Sequence, residues 1–283
     1  TKGDQLDMGI LDLDVIKEFI RLCEDGWKLG YHEYHGGNVT YRMKPEEVKE
    51  VQNFVTKPVV EWTEMEEKHT SLAGEYFLVK GAGECFRNTV VRPQDVFGIV
   101  QINETGTEYR VLWGLEKNGR RPTSEFMPHL SIHSIKKTAD AEKYRVVYHC
   151  HPENVIILSA VMPHDSKTIT RALWDMEPEC PMTFPTGVGI LDWAVPGTVD
   201  LGRATGELMK KHDVVIWSQH GILVAGSDFD TTLGVVHTIE KSAGMLLRIR
   251  QIAGDHYDRP TEEQYRELDQ IFHLHLPEEY VKG

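Results

Sequence analysis

The sequence predicts an α/β fold, a single layered domain in which a central mostly antiparallel or mixed β-sheet is flanked by helices. Three observations point there. Strand-like runs and amphipathic helical stretches are mingled along the whole chain. Turn signals join some neighbouring strand runs directly, which favours hairpins over a purely parallel sheet. The 283 residues, 40% of them apolar, can bury a full core and contain no internal repeat, low-complexity tract or Pro/Ser-rich linker. The domain is therefore read as 1–283, with amino-terminal helices (about 1–30) and a carboxyl-terminal tail (about 254–283) at its periphery.

The elements follow in order. Over 13–28, Ile16, Phe19, Ile20, Cys23 and Trp27 recur every three or four positions, the period of a helix with one buried face. Asp12 stands where a cap is needed and Gly30 lies just past the end. Residues 36–41 read as a glycine turn entering a strand, and the charged stretch 44–70 as a peripheral helix with loops. YFLVK (76–80) is a short strand running into Gly81-Ala82-Gly83. Two more strands, 97–102 and 109–113, are joined through the turn Glu104-Thr105-Gly106. Thr123 and Ser124 are good N-caps for a helix that tolerates Pro128 near its first turn. RVVYHC (145–150) is a strand, after which Pro152 opens a helix through Ile156 and Leu158. The stretch 184–198 is turn-rich and aromatic, and Thr198 caps a helix carrying Leu201, Ala204 and Leu208. Residues 213–217 and 222–225 form a hairpin or bent strand around Gln219-His220-Gly221. A long helix over 229–252 has Leu233, Val236, Ile239, Ala243 and Leu246 on one face, and a short helix near 262–272 follows it.

Bulk properties narrow the function. Against 44 acidic residues stand 31 basic ones, a net charge of −13. That argues against a nucleic-acid partner, since phosphate backbones demand a basic face. A small phosphorylated ligand remains open, because a few local donors can hold it. Cys23, Cys85, Cys150 and Cys180 have no CxxC spacing and read as buried thiols of a reduced, cytoplasmic protein. Asp4, Asp7, Asp12 and Asp14 are the wrong chemistry for a secretory leader. No uninterrupted apolar run approaches the length of a membrane span. Neither a GxGxxG after a strand nor a GxxxxGK[ST] is present, so a nucleotide fold has no support.

His149-Cys150-His151 is the chemical centre of the sequence. Side chains two apart on a strand point to the same side, so both imidazoles can reach one ion. A catalytic zinc usually takes three protein ligands and keeps one position open, and His220, beside Gly221 in a hairpin, is available as the third. With 14 histidines an HxH pair also arises by chance. The apolar strand before this one and the Pro-opened helix after it favour a site at the strand's end. Glu125, in PTSE (122–125), offers an acid/base group, although the helix dipole alone favours a carboxylate there. Glu179, in PEC (178–180), is ambiguous in the same way. Gly36-Gly37-Asn38, Gly81-Ala82-Gly83 and Thr123-Ser124 offer free backbone amides, which bind oxyanions without any lysine. Lys80 is the one candidate for a Schiff base, and ranks below the metal route.

Six blocks, by their order and spacing, together resemble the class II aldolases, in their rhamnulose-phosphate rather than their shorter fuculose-phosphate branch. They are GGNVTYR (36–42), FLVKGAGECFRN (77–88), RPTSE (121–125), HCHPEN (149–154), FPTGVGILDWAVPGT (184–198) and QHGILVAG (219–226). The resemblance covers most of the chain, from Gly26-Trp27 to the helix after Gly226. It implies one zinc ion per subunit on His149, His151 and His220, with Glu125 as general acid/base. It also implies that Glu179 reaches into a neighbouring subunit's site within a four-fold symmetric homotetramer, and that Gly37, Asn38 and Ser124 line a phosphate pocket. The chain departs from the usual pattern at His35, where asparagine is common, and at Ala82, where serine is common, both in that pocket. The implied activity is cleavage of L-rhamnulose 1-phosphate to dihydroxyacetone phosphate and L-lactaldehyde. Cleavage or 4-epimerisation of another phosphorylated ketose, such as L-fuculose 1-phosphate, and a zinc-binding adducin-like scaffold are the alternatives.

Overall fold

Apolar side chains on both faces of the same strands decide the architecture, because such strands must be covered on two sides. The computed structural model describes residues 9–282, so Asp4 and Asp7 lie outside it. Helix α1 (Asp14–Lys28) buries Val15, Ile16, Phe19, Leu22 and Cys23. Its N-cap position is Leu13, with no side-chain bond; the Asp12 carboxylate instead accepts from the Gly9 amide at 2.8 Å. Strand β1 (Asn38–Arg42) follows, then α2 (Pro45–Gln52) and β2 (Val60–Glu64). The charged stretch 44–70 thus holds a strand as well as the expected helix. β2 escaped sequence reading because it is a short edge strand with exposed side chains, set within a charged stretch.

Strand β3 (Tyr76–Lys80) leads through the short α3 (Pro93–Val96) into the hairpin of β4 (Phe97–Ile102) and β5 (Glu108–Gly114). Helix α4 (Phe126–Ala139), strand β6 (Val146–Cys150) and α5 (Glu153–Val161) come next. The interval up to 198 then holds α6 (Ser166–Trp174), α7 (Glu179–Thr183) and β7 (Val188–Leu191), so the turn-rich stretch conceals a strand. Helix α8 (Val199–Met209) is capped by Thr198 as expected. The hairpin of β8 (Val214–Trp217) and β9 (Gly221–Gly226) precedes α9 (Phe229–Ala253), α10 (Glu262–Phe272) and α11 (Glu278–Val281).

Among the described residues nine strands form one sheet in the order β2-β5-β4-β3-β1-β6-β9-β8-β7. Every pair is antiparallel except β7–β8, which α8 connects in parallel, so the sheet is mixed. Ile216, Ile222 and Val224 join the core beneath α9, while their strand neighbours Val215, Trp217 and Leu223 join the core beneath α4 and α8. Both terminal segments, expected at the periphery, contribute buried side chains to the larger core, Phe19 from one and Tyr280 from the other. The four cysteines are unpaired, and three are buried. Among the described residues no helix is long and apolar enough to cross a membrane.

Several histidines are buried in this framework. Burial drives His32 and His129 down to about 3 and holds His133 well below its ordinary value. As the pH falls below about 6.5 the unfolded chain takes protons at these rings while the folded chain does not, and each ring then costs about 1.4 kcal/mol of stability per pH unit. Urea unfolding of metal-stripped protein is expected to show stability falling steadily from about pH 7 to about pH 5. A flat profile would mean that the rings titrate alike in both states.

Candidate metal centre and active site

The pairing of β1 with β6 sets Asn38 directly opposite His149, so both side chains leave the same face of the sheet. Thr40, two residues along β1, faces the same way. Its Oγ1 lies 2.9 Å from His129 Nδ1 and 2.8 Å from His133 Nε2, which seats α4 on this face. The seating brings the start of α4 to Asn38, whose Nδ2 donates to Glu125 Oε2 at 2.6 Å. Thr123 and Ser124 do not cap the helix. It begins at Phe126, with Glu125 at the N-cap position and making no cap bond. Its carboxylate is thereby free for the cleft. Burial raises the Glu125 pKa above the ordinary carboxylate value, and the Asn38 bond opposes that rise.

His149 and His151 leave the end of β6, and His220 comes from the β8–β9 turn; one ligand atom from each ring lies within 4.8 Å of the others. His149 donates from Nδ1 to the Ile222 carbonyl at 3.0 Å, and His151 donates from Nδ1 to Glu33 Oε1 at 2.5 Å. Both rings therefore turn a bare Nε2 lone pair inward, and the two Nε2 atoms stand 3.2 Å apart. Lone pairs at that separation repel unless a cation lies among them. A proton is disfavoured there: burial, then the neighbouring imidazoles, hold His149 well below its ordinary value and His220 at about 4. Convergent imidazoles, two of them anchored through the second ring nitrogen, fit a divalent metal ion.

The turn that presents His220 is strained, with Gln219 at φ 54°. It is pinned from outside. The Gln219 amide donates to Ser159 Oγ at 2.8 Å, and Ser218 Oγ lies 2.9 Å from His164 Nε2, whose ring donates from Nδ1 to Asp192 at 2.5 Å. Gly221 must be glycine, since a Cβ there would lie 2.4 Å from the Cys150 carbonyl oxygen. Sequence reasoning missed Ser159, His164, Asp192 and Ser218, which share no spacing; only the fold joins them.

A cleft of about 210 Å³ opens over the three imidazoles and Glu125. His35, Gly37, Asn38, Ala82, Gly83, Thr123 and Ser124 line it, as do Lys80 and Pro196, which were not among the predicted site residues. Gly81 is buried outside the lining, and Glu179 stands exposed at the first residue of α7, away from its own chain's cleft. The expected free amides shrink in number. Those of Gly36, Gly81, Ala82 and Thr123 are spent on the carbonyls of Glu33, Val96, Arg121 and Lys80. Among the described residues the amides of Gly37, Gly83 and Ser124 have no intramolecular acceptor. Gly37, at φ 75°, can be nothing larger: a Cβ would meet the His149 carbonyl oxygen at 2.6 Å.

Lys80 is only 2% exposed. Its ammonium donates to the His35 carbonyl at 3.1 Å and stands 5.1 Å from the centre of the Phe86 ring. Burial pushes its pKa down to about 8. Among the described residues no carboxylate forms an ion pair with it.

Residues 17–247 match the family described as class II aldolase and adducin N-terminal domain. Rhamnulose-1-phosphate aldolases are similar over most of both chains. The one from Mannheimia succiniciproducens is 37% identical over 249 residues, 88% of this chain and 90% of its own. The one from Listeria innocua is 36% identical over 274 residues, 97% and 98%. The fold is similar to the crystal structure of a sugar-phosphate aldolase from Thermotoga maritima, with TM-score 0.70 and 27% identity over 84% of this chain and 96% of that one.

Metal-stripped protein is expected to take up one equivalent of Zn²⁺, and Glu33→Gln to weaken that binding about 10- to 100-fold, because Glu33 orients the His151 ring. Equal affinities by competition with a chromogenic chelator would remove Glu33 from the centre.

Proposed function

The chain belongs to the class II aldolase and adducin family, and we propose that it is a zinc-dependent aldehyde-lyase cleaving L-rhamnulose 1-phosphate to dihydroxyacetone phosphate and L-lactaldehyde. The carrying observation is the single cleft in which three convergent imidazoles face a buried carboxylate. The choice of sugar is supported by the rhamnulose-1-phosphate aldolases that match at 36–38% identity over most of the chain.

His149, His151 and His220 would hold the metal. A divalent cation bound there supplies positive charge beside the carbonyl end of the ketose, which favours the electron-rich fragment left by carbon–carbon cleavage. Glu125 moves the proton. When the C3–C4 bond breaks, the C4 hydroxyl passes its proton to solvent water and the bonding electrons stay with the dihydroxyacetone phosphate fragment. Glu125 then delivers a proton to the carbon at which the bond broke, and removes it in the synthetic direction. A carboxyl raised by burial and held in place by Asn38 is suited to carrying that proton. The phosphate is assigned to the free amides of Gly37, Gly83 and Ser124, with His35, Ala82 and Thr123 beside them. Glu179, exposed and outside its own cleft, is assigned to a neighbouring subunit's site in a homotetramer. A reducing, cytoplasmic setting suits the four unpaired cysteines.

Zinc-loaded protein given L-rhamnulose 1-phosphate should release dihydroxyacetone phosphate, followed by a coupled reductase, and a chelator should stop it. Retention of both fragments in one product would replace cleavage by epimerisation. Glu125→Gln is expected to lower turnover roughly 10²- to 10⁴-fold with bound zinc unchanged. It should not lower the melting temperature, since it removes a charge that is costly to bury. Loss of zinc together with activity would make Glu125 a ligand instead.

A further inference from the structure

Among the described residues Lys80 is the one ionised side chain in the cleft that the proton transfer does not use, and it is buried there without a counter-ion. An ammonium taken out of water costs several kcal/mol unless an anion or several acceptors replace the solvent. Here the replacement is incomplete: of three N–H donors, the His35 carbonyl takes one, at 3.1 Å. The ionisable groups that face it are Cys23, Cys85, Glu84 and Glu125. The Cys23 thiol is pushed up to about 12 and stays neutral, and neither glutamate pairs with the lysine. At neutral pH the group is therefore a buried cation with spare donors.

Its position tells what it waits for. Lys80 ends β3, and its own carbonyl holds the Thr123 amide at 2.9 Å, so the free Ser124 amide belongs to the segment tied to it. The carbonyl that its ammonium binds belongs to His35, two residues before the free Gly37 amide, and Gly83 lies three residues on from Lys80. We propose that Lys80 is the cation of the phosphate subsite, binding the substrate's phosphate directly and setting the preference for phosphorylated over unphosphorylated ketoses. This rests on the phosphorylated-ketose reading of the cleft. A dianion there supplies the missing counter-charge, and a compact ammonium with donors to spare binds it by charge-assisted hydrogen bonds. Such an anchor also makes up for Ala82, which brings no side-chain donor and whose amide is already spent.

Lys80→Met keeps the length and removes the charge, and Lys80→Arg keeps the charge. Two quantities test the assignment on zinc-loaded protein: the ratio of kcat/KM for L-rhamnulose 1-phosphate to that for L-rhamnulose, and the dissociation constant of inorganic phosphate by calorimetry. In Lys80→Met the ratio should fall, and the phosphate constant should rise, by about 10- to 100-fold. Lys80→Arg should recover part of both. An unchanged ratio and unchanged phosphate binding would overturn the assignment, as would borohydride trapping of the ketose on Lys80. If the wild type cleaves no phosphorylated ketose yet binds phosphate through Lys80, the proposed reaction falls and the anion site stands.

Discussion

The register of β1 against β6 is the constraint on which the site depends. It sets Asn38 across from His149 and puts Thr40 under α4. A slip of one residue would exchange the faces of the strand, turning Val39 and Tyr41 to α4 and sending Asn38 and Thr40 into the apolar core below α9. Burying those two without their partners is costly, so the apolar core enforces the register and the register aligns the chemistry. Glu125 and the three histidines are then brought together by the same ladder that stabilises the fold.

Electrostatics inside the cleft run against the surface. The chain carries a net charge of −13, yet the cleft holds neutral imidazoles, one buried ammonium and one carboxyl raised by burial. Burial lowers the pKa values of His149, His220 and Lys80 and raises that of Glu125, because water has been excluded from the charged forms. Such a cleft is held ready for added charge of both signs, a cation among the imidazoles and an anion beside Lys80. Its three free amides are fixed in direction by neighbouring backbone bonds, so little ordering is left to do when a ligand arrives.

The residues that tune this arrangement come from several separate places in the sequence. Glu33 orients His151, while Ser159 and His164 hold the turn of His220. The Gln219 backbone is held in an uncommon conformation by those contacts. Precision at His220 is therefore supplied by α5, by the segment after it and by the loop at Asp192, and not by the hairpin alone.

The sequence by itself determined the fold class, most strands and helices, the three histidines, and Glu125 as the acid/base candidate. Most of those features are local (period, turn chemistry, and residue types at short spacing), while the role of Glu125 came from the resemblance of the six blocks to the class II aldolases. Its failures have one physical cause. The edge strand Val60–Glu64 is short, exposed and set in a charged stretch, and β7 is concealed among turn residues. The cap of α4 was read at Thr123 and Ser124 because their hydroxyls suit it, whereas Asn38, 87 residues away, holds Glu125 at that end. The amides of Gly81 and Ala82 read as free until Val96 and Arg121 were placed beside them. Lys80 read as a Schiff-base candidate ranked below the metal route, and its burial without a counter-ion follows from segments far from it in sequence. Which donor is spent and which is free, and which charge is buried and unpaired, depends on neighbours the chain supplies only after folding, and so these were decided by the tertiary structure alone.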